Sequence, residues 1–161
     1  NVERYRDFQP GTPVNARPAG VTFDGAVYRG MDPQSFTTRD WTEAQKTLRI
    51  LSGLYGVLRP LDRIQPYRLE MGTALHTDRG TTVASWWGNR IVNLVETDLE
   101  ESPGPQVVVN LASAEYFQAV EGIEINGEPA EKMPTDKLVD VSPMALRMSS
   151  PFNAGYWLSA A

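Results

Sequence analysis

The sequence predicts an α/β fold, with a mixed α+β arrangement as the alternative, in one domain over residues 1–161. Apolar residues recur at helical spacing in residues 39–51 and again in residues 82–99. A β-rich run of the kind that is buried in a parallel sheet follows at residues 106–111, and residues 112–120 return to helical spacing. Helices that alternate with a buried strand indicate layers of helix and sheet packed on each other.

The composition is that of an ordinary globular protein, and it excludes several kinds of chemistry. Apolar residues make up 41% of the chain, but no run approaches the roughly 20 apolar residues that a membrane span requires. The absence of cysteine excludes disulfides, thiolate metal sites and a cysteine nucleophile. The single histidine, His76, is predicted to be a solvated loop residue. A metal site built from several histidines is therefore excluded, and a histidine in a catalytic triad is not expected. We therefore expect no metal, no cofactor and no membrane contact.

The net charge of −5 disfavours nucleic-acid binding, because neutralisation of phosphates supplies most of that affinity. The charge is nevertheless uneven along the sequence. Residues 39–68 hold six basic and three acidic side chains, whereas residues 96–131 hold nine acidic side chains and no lysine or arginine. This pattern is compatible with a basic region on an acidic protein.

Local patterns predict the first elements of the domain. An Asp-Gly pair flanked by two β-rich runs predicts a hairpin over residues 21–28. The helix over residues 39–51 begins after Thr38, a suitable N-cap, and ends at Gly53. Two prolines interrupt residues 57–68, so we expect a short helical turn followed by extended chain there.

Residues 51–57 form the first candidate site, a turn in which hydrophobic residues flank Gly53 and Gly56. With a helix on each side, this spacing is typical of a helix-hairpin-helix element. Glycines let the backbone approach a phosphate closely, and amides at the start of the following helix would point at it. The side chains expected to bind DNA or another anion with this turn are those of Arg49, Tyr55, Arg59 and Arg63. An ordinary turn with a C-capping glycine is the alternative interpretation.

Residues 59–72 form the second candidate site, in which charged side chains and a tyrosine alternate with hydrophobic residues and prolines. Arginines here would bind an anion, and carboxylates would transfer protons or hold the arginines. The side chains concerned are those of Arg59, Asp62, Tyr67, Arg68 and Glu70. A surface loop whose ion pairs satisfy one another is the alternative interpretation.

The carboxyl end of the strand over residues 106–111 forms the third candidate site, because ligands of open α/β sheets bind at that edge. Asn110 and Ser113 are placed to hydrogen-bond a ligand there, and Ser113 equally suits a helix cap. Asn110 and Arg68, from the third and second candidate sites, are also expected to bind DNA or another anion. The candidate catalytic groups are Asp62, Tyr67, Glu70 and Ser113.

Two adjacent tryptophans, Trp86 and Trp87, lie in the helix over residues 82–99. Their position predicts that one ring is in the core and that the other is partly exposed. Stacking of a nucleic-acid base on the exposed ring is the alternative role.

Several segments resemble the YaaA peroxide-stress protein family. The longest runs through residues 48–62 and continues through residues 65–72, and the others are residues 109–117, 15–19 and 23–28. The likeness extends over about residues 1–120. The chain lacks two further features of the family, a strand and loop with a Ser-Pro-Ala-Lys motif at the start and a basic Lys-Lys-Ala-Arg-Gly segment in the last third. We therefore expect an incomplete YaaA-like domain.

The resemblance implies a cytoplasmic protein of the peroxide response that limits damage from iron and hydrogen peroxide. It also implies binding of double-stranded or branched DNA through a helix-hairpin-helix element and a positively charged cleft. The alternative is an enzyme whose polar residues form one pocket for a nucleotide, a damaged base or another small anionic substrate. Convergence of those side chains on one cavity would favour the enzyme, whereas an exposed basic face would favour DNA binding.

Overall fold

The computed structural model describes residues 7–8, 11, 14–101, 108–125, 128–129 and 156–160. Its strands are β1 (Arg17–Pro18), β2 (Leu48–Ser52), β3 (Gly56–Leu58), β4 (Arg63–Ile64), β5 (Ala74–Thr77), β6 (Gly80–Thr82), β7 (Val108–Asn110), β8 (Glu124–Ile125), β9 (Glu128–Pro129) and β10 (Tyr156–Ala160). Its helices are α1 (Ala26–Met31), α2 (Thr38–Thr47), α3 (Val83–Trp87), α4 (Asn89–Glu100) and α5 (Ala114–Phe117).

The central element is a four-stranded sheet in the order β3-β2-β10-β7. Strand β10 lies between β2 and β7 and is parallel to both, whereas β2 and β3 form an antiparallel hairpin. Three antiparallel pairs, β1-β4, β5-β6 and β8-β9, lie outside this sheet. Helices and a partly parallel sheet together give the α/β class that the sequence predicts.

Strand β2 lies between two hydrophobic cores. All five of its residues are buried. Leu51 joins the core that contains Val95 of α4, whereas Leu48 and Ile50 join a second core around Tyr28 and Ile64. Successive side chains of a strand point to opposite faces, so a strand that packs on both faces is buried along its whole length.

Helix α4 covers one face of the sheet with Ile91, Val92, Val95 and Leu99. The sequence predicts a single helix over residues 82–99, but the structure divides it into α3 and α4. The break lies at Gly88, whose φ of +51° is a left-handed conformation that glycine adopts at little cost. The division allows α3 and α4 to take different directions.

Helix α2 is shorter than the prediction of residues 39–51. It begins after Thr37, one residue before the predicted cap, because Thr37 and Asp40 form a reciprocal capping box. It ends at Thr47, where the chain enters β2. The aliphatic residues assigned to the end of the helix therefore form the central strand.

The hairpin predicted over residues 21–28 is wrong. Residues 26–31 form α1, which ends at Asp32 with φ +47°. Tyr28 and Met31 are three residues apart, so a helix buries both on one face in the second core. That tertiary contact outweighs the β-propensity of the local sequence. The helical turn expected near residue 57 is also wrong, because β3 is there.

The later elements agree with the sequence in type and differ in length. Strand β7 lies within the predicted residues 106–111, of which 106 and 107 are outside the described residues. Helix α5 has four residues where residues 112–120 were predicted. Residues 130–155 are outside the described part of the chain, so the single domain over residues 1–161 stays a prediction. Among the described residues, no helix has the length and apolar character needed to cross a membrane.

A buried arginine connects these layers. Arg49 on β2 is 2% exposed, and its Nε donates to Asp98 of α4 at 2.5 Å. Its Nη1 donates to the carbonyl oxygens of residues 46 and 48 at 3.1 and 3.0 Å, where α2 ends. Arg59, which follows β3, donates to the other oxygen of Asp98 at 3.0 Å. One carboxylate thus connects β2, α4 and the chain after β3.

Replacement of Asp98 by Asn will lower the free energy of unfolding by about 3–5 kcal/mol, because it leaves the buried Arg49 charge without its counter-ion. Urea unfolding measures the change. Asp24→Asn is the matched control, because the Asp24–Arg29 pair is exposed and should change the stability by less than about 1 kcal/mol. Equal losses in the two variants would contradict this role of Asp98.

Candidate functional site

The two glycines of the corner at residues 53–56 lie inside the protein, whereas Leu54 between them is exposed. Gly53 and Gly56 are both buried. A Cβ on Gly53 would collide with the backbone oxygen of Leu69, and a Cβ on Gly56 would lie 2.9 Å from the ring of Trp87. Gly56 also has φ +79°. These glycines therefore admit the protein's own backbone and indole ring, not a phosphate.

The polar groups of the corner are bonded within the protein. The Tyr55 amide donates to Ser52 Oγ at 3.0 Å, and the same oxygen shares a short hydrogen bond with the Tyr67 hydroxyl. The Trp87 indole donates to the Gly53 carbonyl at 2.9 Å. The flanking elements are antiparallel strands, in which Gly56 pairs with Ser52. The helix-hairpin-helix interpretation is wrong, and Gly53, Tyr55 and Gly56 do not form an outward phosphate cradle.

Three predicted anion-binding arginines donate to acceptors of the protein. Arg49 is buried against Asp98, which removes it from the set that can reach DNA. Arg59 is about half exposed but shares the same carboxylate. Arg63 is exposed and donates to the carbonyl of Ala16 at 2.6 Å.

The acidic and hydroxyl candidates mostly have local structural contacts. Asp62 accepts a hydrogen bond from the Arg59 amide at 2.7 Å and closes a turn. Arg68 and Glu70 form an ion pair at the surface, with 3.8 Å between Nε and the carboxylate oxygen. This agrees with the interpretation of residues 59–72 as a surface loop whose ion pairs satisfy one another. Ser113 occupies the N-cap position of α5 but makes no capping hydrogen bond with its side chain.

The predicted polar residues do not meet in one place. Arg59 and Asp62 follow β3, beside the amino end of β2, whereas Tyr67 contacts Ser52 at the carboxyl end of β2. Asn110, at the carboxyl end of β7, accepts a hydrogen bond from the Ala112 amide at 2.9 Å. The predicted set is therefore divided between the two ends of β2, so Arg59 and Asp62 do not line one pocket with Tyr67. The described residues contain no cluster of three acidic or histidine side chains that could hold a metal ion.

Two buried phenols lie beside the glycine corner. Burial raises the pKa of Tyr67 well above its ordinary value. Burial, with added repulsion from Glu115 and Glu70, raises the pKa of Tyr116 to about 12. Both hydroxyls are therefore neutral at physiological pH.

The structure brings together a different group, which consists of Arg79, Trp86 and Arg90 and is called here the Trp86 surface. The guanidinium carbon of Arg79 lies 5.5 Å from the centre of the Trp86 ring, and that of Arg90 lies 5.4 Å from it. Both arginines are exposed, and the ring is half-buried. These distances are those of cation–π interactions. The sequence singled out the ring but missed both arginines.

Local structure places these three residues near one another. Arg79 lies in the turn between β5 and β6, where its amide donates to Thr77 Oγ1 at 3.1 Å. Trp86 is on α3, which begins at a capping box formed by Thr82 and Ser85. Arg90 is four residues after Trp86 and donates to the Trp86 carbonyl at 3.0 Å. That four-residue spacing was the one sequence pattern that could have indicated part of the group.

Trp87 anchors the surface to the core. Its ring meets the Trp86 ring edge-on, with centres 4.9 Å apart and planes at 85°. Because Trp87 is bonded to Gly53 and packs on Gly56, it holds α3 against the β2-β3 hairpin. The prediction of one inner and one partly exposed tryptophan is consistent with this arrangement.

The Trp86 surface carries charge that no carboxylate among the described residues neutralises. Within the described part of the chain, neither Arg79 nor Arg90 forms an ion pair. Arg29, Lys46, Arg49, Arg59 and Arg68 are the described cations that have a carboxylate partner. Unpaired guanidinium groups beside an aromatic ring are suited to an anionic ligand with flat groups, such as a nucleic acid.

The fold and this surface define an α/β protein with a cationic aromatic face. A family model described as peroxide stress protein YaaA matches residues 1–140, and the chain belongs to that family. A UPF0246 protein of Acaryochloris marina is 50% identical to the chain over 129 residues, which are 80% of this chain and 50% of the relative. UPF0246 proteins of Cellvibrio japonicus and Saccharophagus degradans are each 49% identical over the same shares. The chain spans about half the length of these curated relatives.

Replacement of Gly53 by Ala will destabilise the protein by about 1–3 kcal/mol, because the new methyl group collides with the Leu69 backbone oxygen. Gly25→Ala is the matched control, since the nearest side-chain atom, on Tyr28, would be at 3.8 Å, an ordinary contact distance. Urea unfolding of both variants tests the difference. A Gly53 variant as stable as the control would show that the corner is open.

The free energy of unfolding will fall as the pH rises from 10 to 12. The unfolded chain releases the Tyr116 proton near the ordinary pKa of 10.0, whereas the folded protein retains it to a pKa of about 12. Tyr116→Phe removes this contribution and should flatten the fall, as measured by urea unfolding across that range. Identical pH dependence in the two proteins would contradict the burial of a neutral phenol.

Proposed function

We propose that the protein binds DNA in the cytoplasm as part of the peroxide-stress response, where it limits damage from iron and hydrogen peroxide. Membership of the peroxide-stress family supports the response. The observation that carries the DNA contact is the Trp86 surface, where two exposed arginines, which have no carboxylate partner in the described part of the chain, flank an aromatic ring. The proposed DNA contact does not involve the glycine corner.

The charge distribution supports a small contact area. Phosphate contacts supply most non-specific affinity for DNA, and a protein with net charge −5 repels DNA over the rest of its surface. Binding is therefore limited to the uncompensated guanidinium groups. We expect non-specific dissociation constants of about 1–100 µM at physiological salt, the range typical of such contacts.

Nearby exposed groups leave room for a DNA backbone at this surface. The four residues of β5 are all exposed, and Arg79 lies at the tip of the hairpin that β5 and β6 form. The one carboxylate in the turn, that of Asp78, forms no ion pair with either arginine. A strand that passes the hairpin tip can therefore meet both positive charges.

Affinity for a short duplex should fall linearly on a plot of log K against log salt concentration. The double variant Arg79→Ala, Arg90→Ala should reduce the steepness of that slope by about 2, because each arginine–phosphate contact contributes roughly 0.9. Fluorescence anisotropy with a labelled duplex measures the slope.

The matched control for this experiment is Arg29→Ala, Lys46→Ala. It removes the same formal charge from cations that already have partners, Asp24 and Glu43. The control should keep the wild-type slope. Binding that does not depend on salt, or equal slopes in all three proteins, would overturn the proposed function.

A further inference from the structure

We propose that Trp86 is a stacking platform for an unpaired base, so that the Trp86 surface selects single-stranded segments of DNA. The inference rests on the proposed function and identifies the part of the DNA that the ring recognises. The two arginines can bind phosphates without the aromatic ring. The ring between them is therefore free to contact a different part of the ligand. Bases are the flat groups that accompany phosphates in a nucleic acid.

The ring is available to a ligand. Trp86 is half-buried, and among the described residues its indole N–H has no hydrogen-bond acceptor. Trp87 supports it at 85°, and so does not cover it with a parallel ring. A base can therefore stack on Trp86 while Trp87 stays fixed to Gly53 in the core.

The arginines beside the ring can be displaced from it. Their guanidinium carbons lie 5.5 and 5.4 Å from the ring centre, and cation–π contacts of exposed side chains are weak. No carboxylate among the described residues holds either guanidinium group in place. A base that stacks on Trp86 displaces the two guanidinium groups from the ring. The phosphates on either side of that base can then pair with the displaced groups.

The platform is held rigidly. The amides of Val83 and Ala84 at the start of α3 donate to the carbonyls of Thr73 and Met71, each at 3.0 Å. Gly80 packs so closely on Ser85 that the hairpin and α3 form one unit. A site whose parts are already fixed loses little entropy when a ligand binds.

Stacking requires a base that is not already stacked. In a duplex each base lies between its neighbours, and it must be unpaired before a protein ring can cover its face. A single strand presents base faces at no such cost. Trp86 should therefore contribute to single-strand affinity and contribute little to duplex affinity.

The test compares a short oligo-dT strand with a duplex of the same length, using the full chain, Trp86→Ala and Trp86→Tyr. Trp86→Ala should weaken single-strand binding by roughly 5- to 150-fold, the effect of losing stacking with one base, and should weaken duplex binding far less. Trp86→Tyr should restore most of the single-strand affinity because it retains an aromatic face. The Arg79→Ala, Arg90→Ala variant should weaken both.

Thermal unfolding of each variant establishes that the fold is intact. As a second readout, oligo-dT should quench the tryptophan fluorescence of Trp41→Phe, which removes a tryptophan packed on Phe36, but should quench that of Trp86→Phe far less. This readout does not depend on the stability of the alanine variant.

The outcomes separate the two proposals. If wild-type protein binds neither DNA, the proposed function fails. If it binds duplex and single strand but Trp86→Ala changes both equally or neither, the stacking inference is overturned and the proposed function stands. Competition by poly-glutamate as strong as that by oligo-dT, without any effect of Trp86→Ala, would also overturn it and assign the surface to an acidic protein.

Discussion

The contact between Arg49 and Asp98 is the constraint on which the rest of the structure depends. A guanidinium group in the core must have a counter-ion, since an isolated buried charge costs several kcal/mol. Arg49 obtains one from α4 and uses its remaining donors on the open carbonyls at the end of α2. The arginine thus sets where α2 stops, which face of β2 meets α4, and where the chain after β3 must pass.

The adjacent tryptophans show how this constraint reaches the surface. Because β2 is fixed, the turn that follows it is fixed too. In that turn the Gly53 carbonyl accepts a hydrogen bond from the Trp87 indole, and Gly56, which has no side chain, leaves space for the Trp87 ring. Trp87 is held inward, and its neighbour on α3 is therefore partly outside. The glycines in the family motif thus help to position the Trp86 surface, which we propose as the binding surface, through their contacts with Trp87.

The sequence predicted the fold class and the family but not the site. The capped start of α2 and the β-rich run of β7 follow from local chemistry that a single segment contains. The end of α2 does not, because Leu48 and Leu51 suit a helix face and a buried strand equally well. The choice depends on β10, more than a hundred residues further along the chain.

The site was missed for the same physical reason. Two glycines separated by two residues fit both a phosphate-binding turn and a tight strand connection, and only the position of Trp87 distinguishes the two. Arg79 and Trp86 meet because a hairpin folds back on α3, which residue spacing does not reveal. Compact motifs were predictable, whereas side chains that come together from separate elements were not.

The position of β10 between β2 and β7 bears on how the chain folds as it is synthesised. Strands β2 and β3 leave the ribosome long before β10. During that interval, the edge of β2 that later pairs with β10 is unpaired. Exposed strand edges invite pairing with other chains. Long-range parallel pairing is also slow to form. A nascent chain of this topology is therefore exposed to mispairing with other chains until β10 has been synthesised.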